Sequence, residues 1–80
     1  MTRIAKAQAI ANALNDRDYS ARVWEGGDNI RVYVTRRLSK RTQDMGYIEI
    51  CDDGDINPNG LTRAKAAIRD IAADAIMEIA

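Results

Sequence analysis

Eighty residues with 46% apolar and 30% charged side chains describe one small globular domain, residues 1–80, and exclude a disordered chain. Twelve basic and twelve acidic residues give a net charge of zero, which speaks against a basic nucleic-acid-binding module. No apolar run reaches the roughly eighteen residues a membrane span needs. The N-terminal stretch lacks the apolar centre of a secretory signal, and one cysteine, Cys51, allows no internal disulfide. The chain is therefore expected to be cytoplasmic.

Residues 3–15 are predicted to be a helix. Ile4, Ala7, Ala11 and Leu14 recur at helical spacing, Ile10 widens the stripe, Thr2 is placed to cap the start, and Asn15-Asp16 ends it. Tyr19 to Glu25 then alternates, with Tyr19, Ala21 and Val23 on one side and Ser20, Arg22 and Trp24 on the other. Gly26-Gly27-Asp28-Asn29 is a turn signal, and Ile30 to Arg36 alternates again, so the two runs form a hairpin. Arg37 to Asp44 reads as a polar, basic loop. Tyr47 to Cys51 is a third strand, with Ile48 and Ile50 facing inward. Asp52 to Gly60, dense in Asp, Asn, Gly and Pro, reads as a connecting loop. Leu61 to Ile79 carries the longest helical stripe: Leu61, Ala64, Ile68, Ile71, Ala75 and Ile79, with Ile76 beside it.

The predicted fold is α+β: a two-layer α-β-β-β-α domain, its three-stranded antiparallel sheet carrying both helices on one face. The other face is then left open. Alternation puts Arg22, Trp24, Arg31, Tyr33, Thr35, Tyr47, Glu49 and Cys51 there. Aromatic side chains beside arginines anchor protein partners or stack on nucleobases. The bland alternative is a set of ordinary cross-strand pairs that stiffen the sheet. A tryptophan on the solvent side of so small a domain favours contact.

Catalytic equipment is missing. With no histidine there is no Ser-His or Cys-His pair, and one cysteine cannot build a zinc cage. No glycine-rich phosphate loop is present. Asp55-Ile56-Asn57-Pro58-Asn59-Gly60 fits the first half of a calcium loop, but the position of the required bidentate acid is Ala66 and a strand precedes the loop. It is read as a capped strand-to-helix connection. No enzyme activity, cofactor or metal ion is expected.

Charge is divided along the chain. Residues 1–43 hold nine Lys/Arg against four Asp/Glu, and residues 44–80 hold three against eight. This either makes a dipolar molecule or cancels where the halves interleave. The basic segment Arg36, Arg37, Lys40 and Arg41 is a candidate contact for an acidic partner. The acidic segment Asp52, Asp53 and Asp55 is a second candidate patch, able to imitate DNA phosphates against a basic channel.

Two resemblances bear on function. The order α-β-β-β-α, with Arg63 and Lys65 at the start of the second helix, resembles double-stranded-RNA-binding domains. It implies a small nucleic-acid-binding module, although Glu25-Gly26-Gly27-Asp28-Asn29 lacks that family's histidine. Val23-Trp24-Glu25-Gly26-Gly27 followed by Arg31-Val32-Tyr33-Val34, preceded by a short helix, resembles a hairpin of small phage and mobile-element proteins. Some of these are anti-CRISPR proteins, and the pattern is similar to inhibitors of type I Cascade complexes. The resemblance implies a phage-type inhibitor that blocks target-DNA binding by a host complex. Its contact residues would be Arg22, Trp24, Arg31, Tyr33, Tyr47 and the basic segment. A monomer is expected, with a weak or Cys51-linked dimer as the alternative.

Overall fold

A computed structural model describes residues 2–79; Met1 and Ala80, the ends of the expected domain, lie outside the described residues. The first helix, α1 (Arg3–Asn15), starts where Thr2 Oγ1 accepts the Ala5 N–H at 3.1 Å, the side-chain cap that an exposed first turn needs. It buries Ala7, Ile10, Ala11 and Leu14 of the predicted stripe, and Ile4 packs partly buried against them.

A sheet of four antiparallel strands follows, in the order β1-β2-β3-β4: β1 (Tyr19–Gly26), β2 (Asn29–Arg37), β3 (Thr42–Ile50) and β4 (Ile56–Asn57). The expectation of three strands is corrected here. Ile56 and Asn57 pair with Ile50 and Glu49, inside the stretch read as a loop. Two residues are too few to show alternation, so composition alone marked the segment as a turn. The second strand pair also runs further than predicted. Thr42, Gln43 and Asp44 pair with Arg37, Arg36 and Thr35, which shrinks the basic loop to Leu38–Arg41.

β1 and β2 meet at a two-residue loop, Gly27-Asp28. Gly27 has φ +60°, the left-handed first position that a type II′ turn assigns to glycine. In β3 the ladder shifts. Val34 pairs with Gly46 and Thr35 with Asp44, so Met45 is the extra residue of a bulge. The bulge inverts the pleat: Met45 is buried with Ile48 and Ile50 although its number has the opposite parity. Gly46 has φ +91°, and a Cβ there would stand 2.2 Å from the Gly60 carbonyl oxygen. Only glycine lets the 60–62 segment cross so close to β3. That crossing is held by the bond from the Thr62 N–H to the Met45 carbonyl, 2.9 Å.

After a 3₁₀ turn (Pro58–Gly60), the last helix, α2 (Lys65–Ile79), begins four residues later than predicted. Leu61 is buried but belongs to the turn, and Ala64 is left-handed at φ +50°, which stops the helix from extending backwards. Ile68, Ala72 and Ala75 are buried. They join α1 and the inward residues Ile30, Val32, Val34, Met45, Ile48 and Ile50 in one hydrophobic cluster. The backbone of α2 runs against α1 rather than along the strands, so the sheet is covered mainly by α1. No described helix is long and apolar enough to cross a membrane.

Candidate functional site

Strand register organises the uncovered face of the sheet into cross-strand rows. Arg22, Tyr33 and Tyr47 form one, and Trp24, Arg31, Glu49 and Asn57 the next. Ser20, Thr35 and Asp44 form a third, nearer the β2–β3 turn. Because Gly27-Asp28 fixes the β1–β2 register, Trp24 is bound to face Arg31.

Arg31 is the hub of these rows. Its Nε donates to Glu49 Oε2 at 3.2 Å and its Nη1 to the Tyr33 hydroxyl at 3.2 Å. The guanidinium carbon lies 4.5 Å from the Tyr47 ring centroid and 5.6 Å from that of Trp24. The bond to Tyr33 raises its pKa above the usual arginine value, with desolvation opposing and Glu49 adding to the rise. Arg31 is therefore a permanent cation whose charge is already answered, and it acts as a strut beneath the aromatic rings.

The rings themselves are held at fixed angles. Trp24 and Tyr33 meet edge to face with centroids 6.4 Å apart, and Tyr33 and Tyr47 tilt together at 5.4 Å. Trp24 lies over Gly26 and Tyr47 over Gly60, where a Cβ would come within 2.2 and 2.5 Å of the rings. Despite this support Trp24 remains 44% exposed and Tyr33 38%. The result is a braced apolar platform in water, whose side chains have little freedom left to lose on contact. Among the described residues, Arg22 has no side-chain partner. It borders a hollow of about 300 Å³ shared with Ser20, Tyr33, Thr35 and Asp44.

Other candidate residues lie elsewhere. Arg36, Arg37, Lys40 and Arg41 sit at the β2–β3 end, about 20 Å along β2 from Arg31 at the ordinary strand rise. Arg36 pairs with Tyr19 and has the parity of the helix-bearing side. Arg37 is used by the fold: its Nη2 donates to the carbonyls of Asn15, at 3.2 Å, and Arg17, completing the end of α1. Lys40 and Arg41 are exposed in the turn. The predicted contact set is thus divided into a platform and a distant basic end.

The acidic segment is likewise partly engaged. Asp52 pairs with Arg3 at 3.2 Å, while Arg3 also donates to the Asp28 carbonyl at 3.0 Å. Asp53 Oδ1 accepts the Asp55 N–H at 3.0 Å, and Lys6 holds the Gly54 carbonyl at 3.1 Å. The Arg3–Asp52 and Arg31–Glu49 pairs join the basic and acidic halves of the chain. Asn57 Oδ1 is turned onto the Asn59 N–H, so the calcium-like segment spends that oxygen on a cap. No cluster of three metal-ligating side chains occurs among the described residues. Cys51 is half-buried just past β3. Its thiol pKa is pushed up by loss of solvent, then by the charges of Asp53, Glu49, Asp55 and Asp52.

Alternation places Trp24, Arg31, Tyr33, Tyr47 and Glu49 on this face but gives no sign that Gly26, Gly60 and Glu49 support the rings and Arg31. The hairpin loop, which sets Trp24 opposite Arg31, was the usable signal; Gly60 reaches Tyr47 only through the bulge and crossing. Compared with protein-family models, curated proteins and solved structures, the chain matches none.

Proposed function

We propose that the protein is a non-catalytic binding protein that docks the aromatic face of its sheet on a host macromolecular complex and inhibits it. The observation that carries this is the braced, exposed Trp24–Tyr33–Tyr47 platform on the strut Arg31. Preorganised aromatic groups with arginine nearby are the composition of interface hot spots. The likeness of the β1–β2 hairpin to phage anti-CRISPR proteins makes a type I Cascade complex the target, within a host cytoplasm. The reading of a small nucleic-acid-binding module has less support. Phosphate binding draws its strength from several free cations, whereas Arg31 is answered by Glu49 and the platform offers Arg22 alone.

The test is a mobility-shift assay with purified type I Cascade, its target DNA and excess protein. Target-DNA binding is expected to be lost, and to return with Trp24→Ala. Unimpaired DNA binding with the wild-type protein rejects the target.

A further inference from the structure

β1 is an edge of the sheet, and its outer side is neither fully capped nor fully open. The bond from the Arg37 N–H to the Asp18 carbonyl fixes the parity of the ladder. Even-numbered residues of β1 turn their backbone groups to β2, and Tyr19, Ala21, Val23 and Glu25 turn theirs outward. At Ala21 both groups are filled by one side chain. The Ala21 N–H donates to Asn15 Oδ1 at 2.8 Å, and Asn15 Nδ2 donates to the Ala21 carbonyl at 3.2 Å. Asn15 thus imitates a neighbouring strand for a single residue. Among the described residues, the outward groups of Val23 and Glu25 have no such partner.

We propose that this edge pairs with the same edge of a second copy, antiparallel about a two-fold axis at Trp24. Val23 of each copy then faces Glu25 of the other, and each pair exchanges both of its backbone bonds. The neighbouring registers are closed. An axis at Val23 or Arg22 needs the groups of Ala21, which Asn15 occupies. An axis at Glu25 sets two carboxylates directly opposite each other. In the open register Ala21 comes opposite Gly27, which has no side chain and lies past the end of β1, where the chain turns toward its own β2 and away from the Asn15 cap of the other copy.

Side chains favour the same register. Trp24 meets its own copy in the close, non-hydrogen-bonded position, with Cα atoms roughly 4.5 Å apart. Arg22, which has no side-chain partner among the described residues, lies diagonal to that second indole and within cation–π reach. With a net charge of zero, the copies approach without net repulsion. The overlap is short, so the dimer is weak and depends on concentration. It makes one continuous sheet in which the two aromatic platforms adjoin.

Sedimentation of the wild-type protein under reducing conditions is expected to show a reversible monomer–dimer equilibrium. A strict monomer up to the highest soluble concentration overturns the proposal. Register is read by disulfide trapping in a Cys51→Ala background. Trp24→Cys is expected to cross-link at least about tenfold faster than Ser20→Cys, because only residue 24 faces itself across the axis. Equal rates, or faster trapping at residue 20, overturn it too. Circular dichroism of each variant before oxidation confirms that it is folded.

Discussion

The indole of Trp24 covers the backbone of Gly26 on the same strand, so that a Cβ at Gly26 would stand 2.2 Å from Cη2. A β-edge glycine normally weakens a strand; here the ring shelters it, and the glycine in turn lets the ring lie down. Gly26→Ala should therefore lift the indole. We expect a small stability loss of about 0.5–1 kcal/mol together with a red-shifted tryptophan emission. An unchanged emission spectrum would show that the ring does not rest on Gly26.

Arg31 and Arg22 stand opposite each other in role though adjacent in the rows. Arg31→Gln removes the bonds to Glu49 and Tyr33 and the contact with Tyr47, and should lower stability by clearly more than the change at Arg22. Arg22→Gln breaks no side-chain bond among the described residues and should leave stability within about 0.5 kcal/mol of wild type. Urea unfolding of both variants gives the comparison; an equal loss in the two would remove Arg31 from its place as strut.

Gly46 is the position where substitution is least tolerable. Its φ is +91°, and Gly60 O, Leu61 Cα and Thr62 N would all lie within 2.9 Å of an added Cβ. These are backbone atoms, so no rotamer relieves the clash. Gly46→Ala is expected to cost about 2–4 kcal/mol, a large share of the stability of so small a domain. Chemical denaturation measures it.

Ala64 is the opposite case. At φ +50° it holds a conformation that a Cβ disfavours, directly before α2. Ala64→Gly should raise stability by up to about 1 kcal/mol, with the melting temperature rising accordingly. A lower melting temperature would show that the left-handed conformation carries no strain.

Cys51 should be a slow thiol. Its pKa is raised, so the folded state holds the proton more tightly than the unfolded chain. Any stability this adds is complete below the unfolded thiol pKa and fades as pH rises through the folded one. Alkylation by iodoacetamide should accelerate at a higher pH than for a free cysteine, and Asp53→Asn should bring that pH down. Identical profiles for wild type and Asp53→Asn would discount the acidic neighbours.

These cases show what was legible in the chain. The stripe Ala7–Ile10–Ala11–Leu14 and the alternation of Ile30, Val32 and Val34 report burial on one side, a property each residue carries locally. The hairpin turn was legible because Gly27 is a backbone requirement. What escaped depended on distant partners. Thr42–Asp44 are strand because Thr35–Arg37 offer them a ladder, and nothing in Thr-Gln-Asp says so. β4 exists for the same reason. The role of Arg37 could not be read as other than surface charge, since the carbonyls it serves lie at Asn15 and Arg17. The platform residues were visible by parity, but the bracing that makes them a platform lies in Glu49, Gly26 and Gly60.

The docking of α2 on α1 rather than on the strands has a consequence for folding order and local opening. Every inward residue of β2 is shared with a strand on each side, whereas α2 is attached through Ile68, Ala72 and Ala75 and leaves Met77 75% exposed. We expect the meander with α1 to open as one cooperative unit, and the exposed last turns of α2 to open at a lower free energy. Amide exchange should run in that order: slowest at Val32 and Val34, fastest in the last turns of α2. The molecule then breathes at its C-terminal helix while the aromatic face on the far side of the sheet stays rigid.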